Sequence, residues 1–352
     1  MSNSLQKGPC AEAALQSATS KRSVIAATGR SGGNASNQAQ LAPTLDTRAL
    51  MERIVVLGGT GFIGRRLLPA LRRADRVVRV ASRKPGAPAD VGVEHVRCDL
   101  ESGEGVDRAL EGADLAYFLV HGMAEGRGFA AREKIATENF IRAARRQGVA
   151  HVIYLGGLYP SGGLSAHLES RREVGLMLIE GTGALAVRAG VVVGSGGASF
   201  DILYGLCQRL PLMIAPRWLA SLCQPVSIDD TVRCLAGAAR IPGGREVDLV
   251  GPDVLTYRAM LEITGFELRG RKPVMFPVPF LSPELSAHWL RLVTKVDMNV
   301  ARSLVSSLRH DLIAERPLLT AELRLTPAGF RESVRTALAE RRRVLVSRMR
   351  AA

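Results

Sequence analysis

Arg53-Ile54-Val55-Val56-Leu57-Gly58-Gly59-Thr60-Gly61-Phe62-Ile63-Gly64-Arg65 is the stretch on which the fold turns. Ile54 to Leu57 form a short, mostly β-branched run, the pattern of a parallel strand buried on both faces. Gly58, Gly61 and Gly64 follow at three-residue spacing, and a helix is expected over 62–73. Leu67, Leu68 and Leu71 take its inner face, and Arg65, Arg66, Arg72 and Arg73 its outer face. Gly58 permits the tight turn out of the strand, Gly61 lets a pyrophosphate approach the backbone, and Gly64 lets the helix pack close to the sheet. The N-terminus of the helix then offers free N–H groups and the positive end of a dipole. Gly58, Gly61, Phe62, Ile63 and Gly64 are therefore expected to hold a dinucleotide.

The second strand, 77–81, ends in Ser82-Arg83-Lys84, with no acidic residue to hold a ribose 2′-hydroxyl. The planar guanidinium of Arg83 suits a 2′-phosphate and Ser82 adds a donor. NADP(H) is thus favoured, with NAD(H) as the alternative. A third strand near 93–98 ends in Asp99-Leu100, where Asp99 either accepts from an adenine amino group or caps a turn. An apolar strand at 115–120 runs into His121, at the carboxyl edge where doubly wound sheets bind ligands. A helix over 129–148, a strand at 151–155, a helix opening at His167 and a strand at 185–193 continue the alternation. That alternation predicts an α/β fold, a doubly wound parallel sheet of Rossmann type.

Composition narrows the function classes. The chain has 352 residues and a net charge of +14. Part of that excess is terminal. Residues 1–50 carry five cations against two acids, and Arg343, Arg348 and Arg350 are unopposed in the last ten residues. No zinc-ligand spacing or basic–aromatic platform is present, so nucleic acid is not the expected partner. Cofactor phosphates or an anionic membrane surface fit the charge better. The five cysteines are widely spaced and form neither a disulfide framework nor a metal motif. A reducing, cytoplasmic setting and no metal are expected. Residues 1–50 are rich in Ser, Ala, Gly, Asn and Gln and read as a disordered tail, or as an extension upstream of a start at Met51. The fold is expected to divide into a dinucleotide-binding domain over 51–250, a smaller and mostly helical substrate part over 251–340, and a basic tail over 341–352.

The order of these blocks resembles the extended, atypical branch of the short-chain dehydrogenase/reductase superfamily. The three glycines, Asp99-Leu100, Arg188-Ala189-Gly190 and Pro225-Val226-Ser227-Ile228-Asp229-Asp230 carry the likeness. Within that branch the chain looks most similar to bacterial NAD(P)H-binding proteins related to nitrogen-repression regulators and to a complex I accessory subunit. Tyr117–Met123, His167–Arg171, Pro216-Arg217-Trp218 and the run from Gly251 to Leu312 carry this closer match. The resemblance spans Met51 to about Arg335 and implies an NAD(P)H-dependent oxidoreductase.

The chain departs from the superfamily's catalytic set. Gly156-Gly157 stand where a serine is usual, and His167-Leu168-Glu169-Ser170-Arg171 stands where Tyr-x-x-x-Lys is usual. The four-residue spacing survives, so both ends share one helix face. His167 is the candidate proton donor, and Arg171 the anchor for the ribose and for charge. Tyr154 and Tyr159 are nearby alternatives. Tyr159, Arg217 and Trp218 are candidate substrate contacts. Residues 273–281 hold three prolines and cannot form a central strand. They read as an apolar segment feeding a helix over 283–296, serving as packing, as a lid, or as a surface for membrane or partner. The expected substrate is a hydrophobic carbonyl or conjugated compound, aromatic or prenylated. A non-catalytic NADP(H) sensor or assembly factor, and an epimerase or dehydratase, are the rival readings.

Overall fold

The computed structural model describes residues 52–73, 75–84, 93–120, 128–160, 164–210, 212–278 and 310–351. The first half alternates strand and helix: β1 (Glu52–Leu57), α1 (Gly64–Leu71), β2 (Arg76–Ser82), β3 (Val93–Arg97), α2 (Val106–Leu110) and β4 (Leu115–Phe118). Then come α3 (Phe129–Gln147), β5 (His151–Gly157), α4 (Ala166–Thr182) and β6 (Leu185–Ala189). The second half begins with β7 (Val192–Val193), α5 (Ala198–Arg209), β8 (Leu212–Pro216), a 3₁₀ turn at Arg217–Ala220, β9 (Leu222–Cys223) and β10 (Val226–Ser227). It continues with α6 (Ile228–Ala238), β11 (Arg245–Leu249), β12 (Leu255–Thr256), α7 (Tyr257–Arg269) and β13 (Val274–Val278). The last elements are α8 (Leu319–Glu322) and α9 (Phe330–Ala351).

Seven strands form one sheet in the order β11-β6-β5-β4-β1-β2-β3, with every pairing parallel. Alternate residues of β1 explain its unbroken apolar run. Ile54 and Val56 face a cluster formed with α1 and α6, while Val55 and Leu57 face one formed with α2, α3 and α4. Leu115 and Tyr117 of β4 divide from Ala116 and Phe118 in the same way. Both faces are thus covered by helices, as a parallel sheet requires. The strand order reverses between β1 and β4, which places a topological switch point beside the glycine turn.

A third apolar cluster gathers Phe200, Leu203 and Cys207 of α5, Met213 and Ala215 of β8, Met260 and Leu261 of α7, and Phe330 and Val334 of α9. The short strand β8, which the sequence does not signal as a strand, pairs in parallel with β13. Pro277 is accommodated because this sheet has two strands and no central position. α1 begins two residues later than its periodicity suggests. Gly61 donates its N–H to the Gly58 carbonyl at 3.0 Å, so residues 61–63 belong to the turn. The helix expected over 283–296 lies outside the described residues. α9 runs unbroken past residue 341.

Candidate functional site

The carboxyl ends of β1, β2, β4, β5 and β6 open into a cleft of about 700 Å³. Its floor is the glycine turn. Gly58 has φ +85°, and a Cβ there would sit 2.9 Å from the Leu119 carbonyl oxygen. A Cβ on Gly64 would come within 2.4 Å of the Gly58 oxygen and 2.6 Å of the Gly59 Cα. Both positions exclude a side chain, and this keeps the helix seated on the turn. The cap residue of α1 is Ile63, which offers no side-chain acceptor to the first-turn N–H groups. Phe62 extends the floor, and a Cβ on Gly197 would meet its ring at 2.8 Å. Arg66 holds this arrangement by donating to the Phe62 carbonyl at 3.2 Å and the Ser195 carbonyl at 2.8 Å.

One wall of the cleft is α4. Its cap, Ser165, accepts from the Leu168 N–H and starts the helix so that His167 and Arg171 stand one turn apart. Both line the cleft and both are buried, at 9% and 4% exposure. Glu133 of α3 completes the cluster. Its Oε1 lies 3.4 Å from Arg171 Nη2, and its Oε2 accepts from Ser170 Oγ at 2.6 Å. Burial pushes the His167 pKa down to about 4, Arg171 pushes it in the same direction, and Glu133 opposes both. The imidazole is therefore neutral at pH 7, and its Nδ1 is buried without a hydrogen-bond partner among the described residues. Gly156 and Gly157 line the cleft beside this cluster. A Cβ at Gly156 would meet the Tyr154 ring at 2.9 Å, so a serine there would require that ring to move.

At the other end, Ser82, Arg83, Cys98, Asp99 and Leu100 line the cleft. Ser82 Oγ donates to the Lys84 carbonyl at 2.8 Å, shaping the turn after β2. Asp99 Oδ1 accepts the Glu101 N–H at 2.9 Å and the Ser102 N–H at 3.4 Å, which is the turn-capping role.

Other candidates lie elsewhere. Tyr159 is buried outside the cleft lining, with its hydroxyl donated to the Glu246 carboxylate and the Arg188 guanidinium 4.6 Å from its ring centroid. Burial and Glu246 push its pKa up to about 12. Tyr154 is buried in the sheet, and burial raises its pKa too. Arg217 is exposed at the start of the 3₁₀ turn, outside the lining, and Trp218 follows it there. His121 lies outside the described residues. Sequence reading missed Glu133, the Gly196–Ser199 entrance to α5, and Leu312, all of which line the cleft. The Gly-rich loop before α5 was a visible signal; the other two carried none. Among the described residues no group of three or more His, Cys, Asp or Glu side chains is placed to hold a metal.

The cleft fits a dinucleotide: two glycines that exclude a Cβ, a helix start without a side-chain cap, and a switch point above them. Residues 58–169 match a family model described as NAD(P)H-binding. None of the curated proteins matches the chain. Among solved structures, the triphenylmethane reductase of Citrobacter sp. complexed with NADP(H) superposes with a TM-score of 0.64 at 18% identity, covering 81% of this chain and 99% of that one. The UDP-glucose 4-epimerase of Thermotoga maritima, with UDP-glucose, gives 0.62 at 16% identity over 83% and 99%. MoeE5 in complex with UDP-glucose and NAD gives 0.61 at 18% identity over 83% and 99%. The chain thus carries an NAD(P)H-binding domain of Rossmann fold.

Proposed function

We propose that the chain is an NADPH-dependent reductase acting on a carbonyl, or on a conjugated C=C or C=N group, of a hydrophobic small molecule. The observation that carries this reading is the buried His167–Arg171–Glu133 cluster in the wall of the cleft built by Gly58, Gly61 and Gly64. When bound, the nicotinamide supplies a hydride. The N–H groups at the start of α1 hold the pyrophosphate, and Ser82 and Arg83 receive the 2′-phosphate.

Arg171, steadied by Glu133, supplies positive charge beside the acceptor and anchors the ribose. His167 is neutral at pH 7, so it acts by donating a hydrogen bond to the atom that gains charge, and water delivers the proton. This modifies the proton-donor role expected from sequence. Leu158, Leu168, Val191, Val192 and Leu312 line the cleft as well, and they favour an apolar acceptor over a nucleotide sugar. The buried, unpartnered Nδ1 of His167 also supports the rival reading, an NADP(H)-binding sensor without turnover.

One experiment separates the two. Nicotinamide fluorescence is followed on titration with NADPH and NADH, and absorbance is then followed with a panel of hydrophobic ketones and quinones. Tight NADPH binding with substrate-dependent oxidation is expected. In His167→Ala, turnover should fall about 100-fold or more while NADPH affinity changes little. Unchanged turnover in that variant refutes the role given to His167, and binding without oxidation across the panel favours the sensor.

A further inference from the structure

The C-terminal helix α9 is anchored for only half its length. Phe330, Val334, Ala337 and Leu338 are buried in the third apolar cluster. Its last anchors are Glu340, bonded to Arg66 at 2.5 Å, and Arg341, which pairs with Asp201 at 2.6 Å and stacks 4.0 Å from the Tyr204 ring centroid. Beyond Arg341 the alternation of buried and exposed positions stops. Every side chain described from Arg342 onward is exposed, although the helix continues to Ala351.

The apolar stripe does not stop with the burial. Past Arg341, the helical spacing of Phe330, Val334 and Leu338 is taken up again by Leu345 and Met349, which are 51% and 80% exposed. Val344 and Val346 stand in solvent too. The same stretch holds Arg342, Arg343, Arg348 and Arg350, and no acidic residue follows Glu340.

We infer that this overhanging end of α9 docks the protein on an anionic phospholipid surface. Leu345 and Met349 enter the headgroup boundary, and Arg342 and Arg343 meet lipid phosphates. The charge favours this occupant. A second copy docking through the same helix would bring two sets of arginines together with no acid between them. Nucleic acid would use the arginines but would gain nothing from four exposed apolar side chains. No described helix is long and apolar enough to cross a membrane, so the contact is a surface one.

The test is co-sedimentation of the full chain with vesicles of phosphatidylcholine alone and of phosphatidylcholine mixed with phosphatidylglycerol. Binding to the mixed vesicles only is expected, weakening with salt. Leu345→Ser with Met349→Ser leaves the charge intact and should lower partitioning roughly ten-fold or more. Arg342→Ser and Arg343→Ser should each lower it roughly five-fold. All four positions are exposed, and an unchanged melting curve verifies that the fold is kept. The inference is overturned by no sedimentation, by equal binding to neutral vesicles, or by full binding of the double serine variant. Light scattering that shows a dimer dissolved by those same serines, or binding of an oligonucleotide in preference to the vesicles, also overturns it.

Discussion

Replacing His167 by Gln removes an imidazole that the folded chain keeps from taking up a proton. The side chain is 9% exposed, and Arg171 stands one turn away on the same helix. An ordinary histidine titrates near pH 6.5, whereas burial and then Arg171 push His167 down to about 4. At about 1.4 kcal/mol per pH unit, the difference is about 3 kcal/mol of stability linked to protonation. The sign follows from proton uptake. Between about pH 6.5 and 4 the unfolded chain binds a proton that the folded chain refuses. Stability from this residue is therefore complete above about pH 6.5, declines as the pH falls, and is gone below about 4. Urea unfolding of the native chain and of His167→Gln, at several pH values across that window, isolates the effect, because all other groups are common to both. Relative to His167→Gln, the native chain should lose about 3 kcal/mol of stability as the pH falls across that window. Curves that stay parallel from neutral to acid pH would refute both the neutral imidazole and the hydrogen-bonding role derived from it.

Three further perturbations test other parts of the structure. Gly64→Ala puts a Cβ 2.4 Å from the Gly58 oxygen; it should cost about 1–3 kcal/mol in a melting experiment and weaken NADPH binding at least ten-fold, measured by fluorescence. Arg83→Ala should weaken NADPH binding by roughly 10–100-fold and leave NADH almost unaffected, since a charged hydrogen bond contributes about 1.5–3 kcal/mol. Equal loss for both cofactors would remove Arg83 from the 2′-phosphate. Asp248→Asn breaks a buried pair in which Arg188 donates at 2.7 and 2.9 Å. It should cost about 3–5 kcal/mol in urea unfolding. The amides of Glu315 and Arg316, both donated to Asp248 at 2.7 Å, should exchange faster in that variant.

What could be read in advance followed local rules. The run Ile54–Leu57, the three glycines and the alternation of strands and helices were legible because covalent neighbours determine them. The pairing of His167 with Arg171 was legible because a helix repeats every 3.6 residues. Glu133 was not. It is one of several charges on α3, and it reaches Arg171 only because α3 and α4 pack closely, with Ile141 filling the space where a Cβ of Gly181 would lie. Leu312 is likewise brought to the cleft by tertiary pairing, beside Cys223. Tyr159 shows the limit of proximity in sequence. Its neighbour Leu158 lines the cleft, while its own side chain turns away into the Arg188–Glu246 contacts. The strand β8 was missed because its partner, β13, lies about sixty residues later.

The Arg188–Asp248 pair also bears on how the chain arrives at its fold. β11 is the outermost strand on its side and comes from more than fifty residues beyond β6, so it can meet the sheet in several offsets. Two of its five pairings with β6, Val247 with Val187 and Leu249 with Ala189, are apolar on both sides and tolerate error. In the native alignment Asp248 lies directly opposite Arg188. A slip by one residue would turn the side chains of β11 to the opposite face and strand both charges away from water and from each other. A wrongly zipped edge is thus far less stable than the correct one, and the ion pair serves as a proofreading mark for the register of this edge strand.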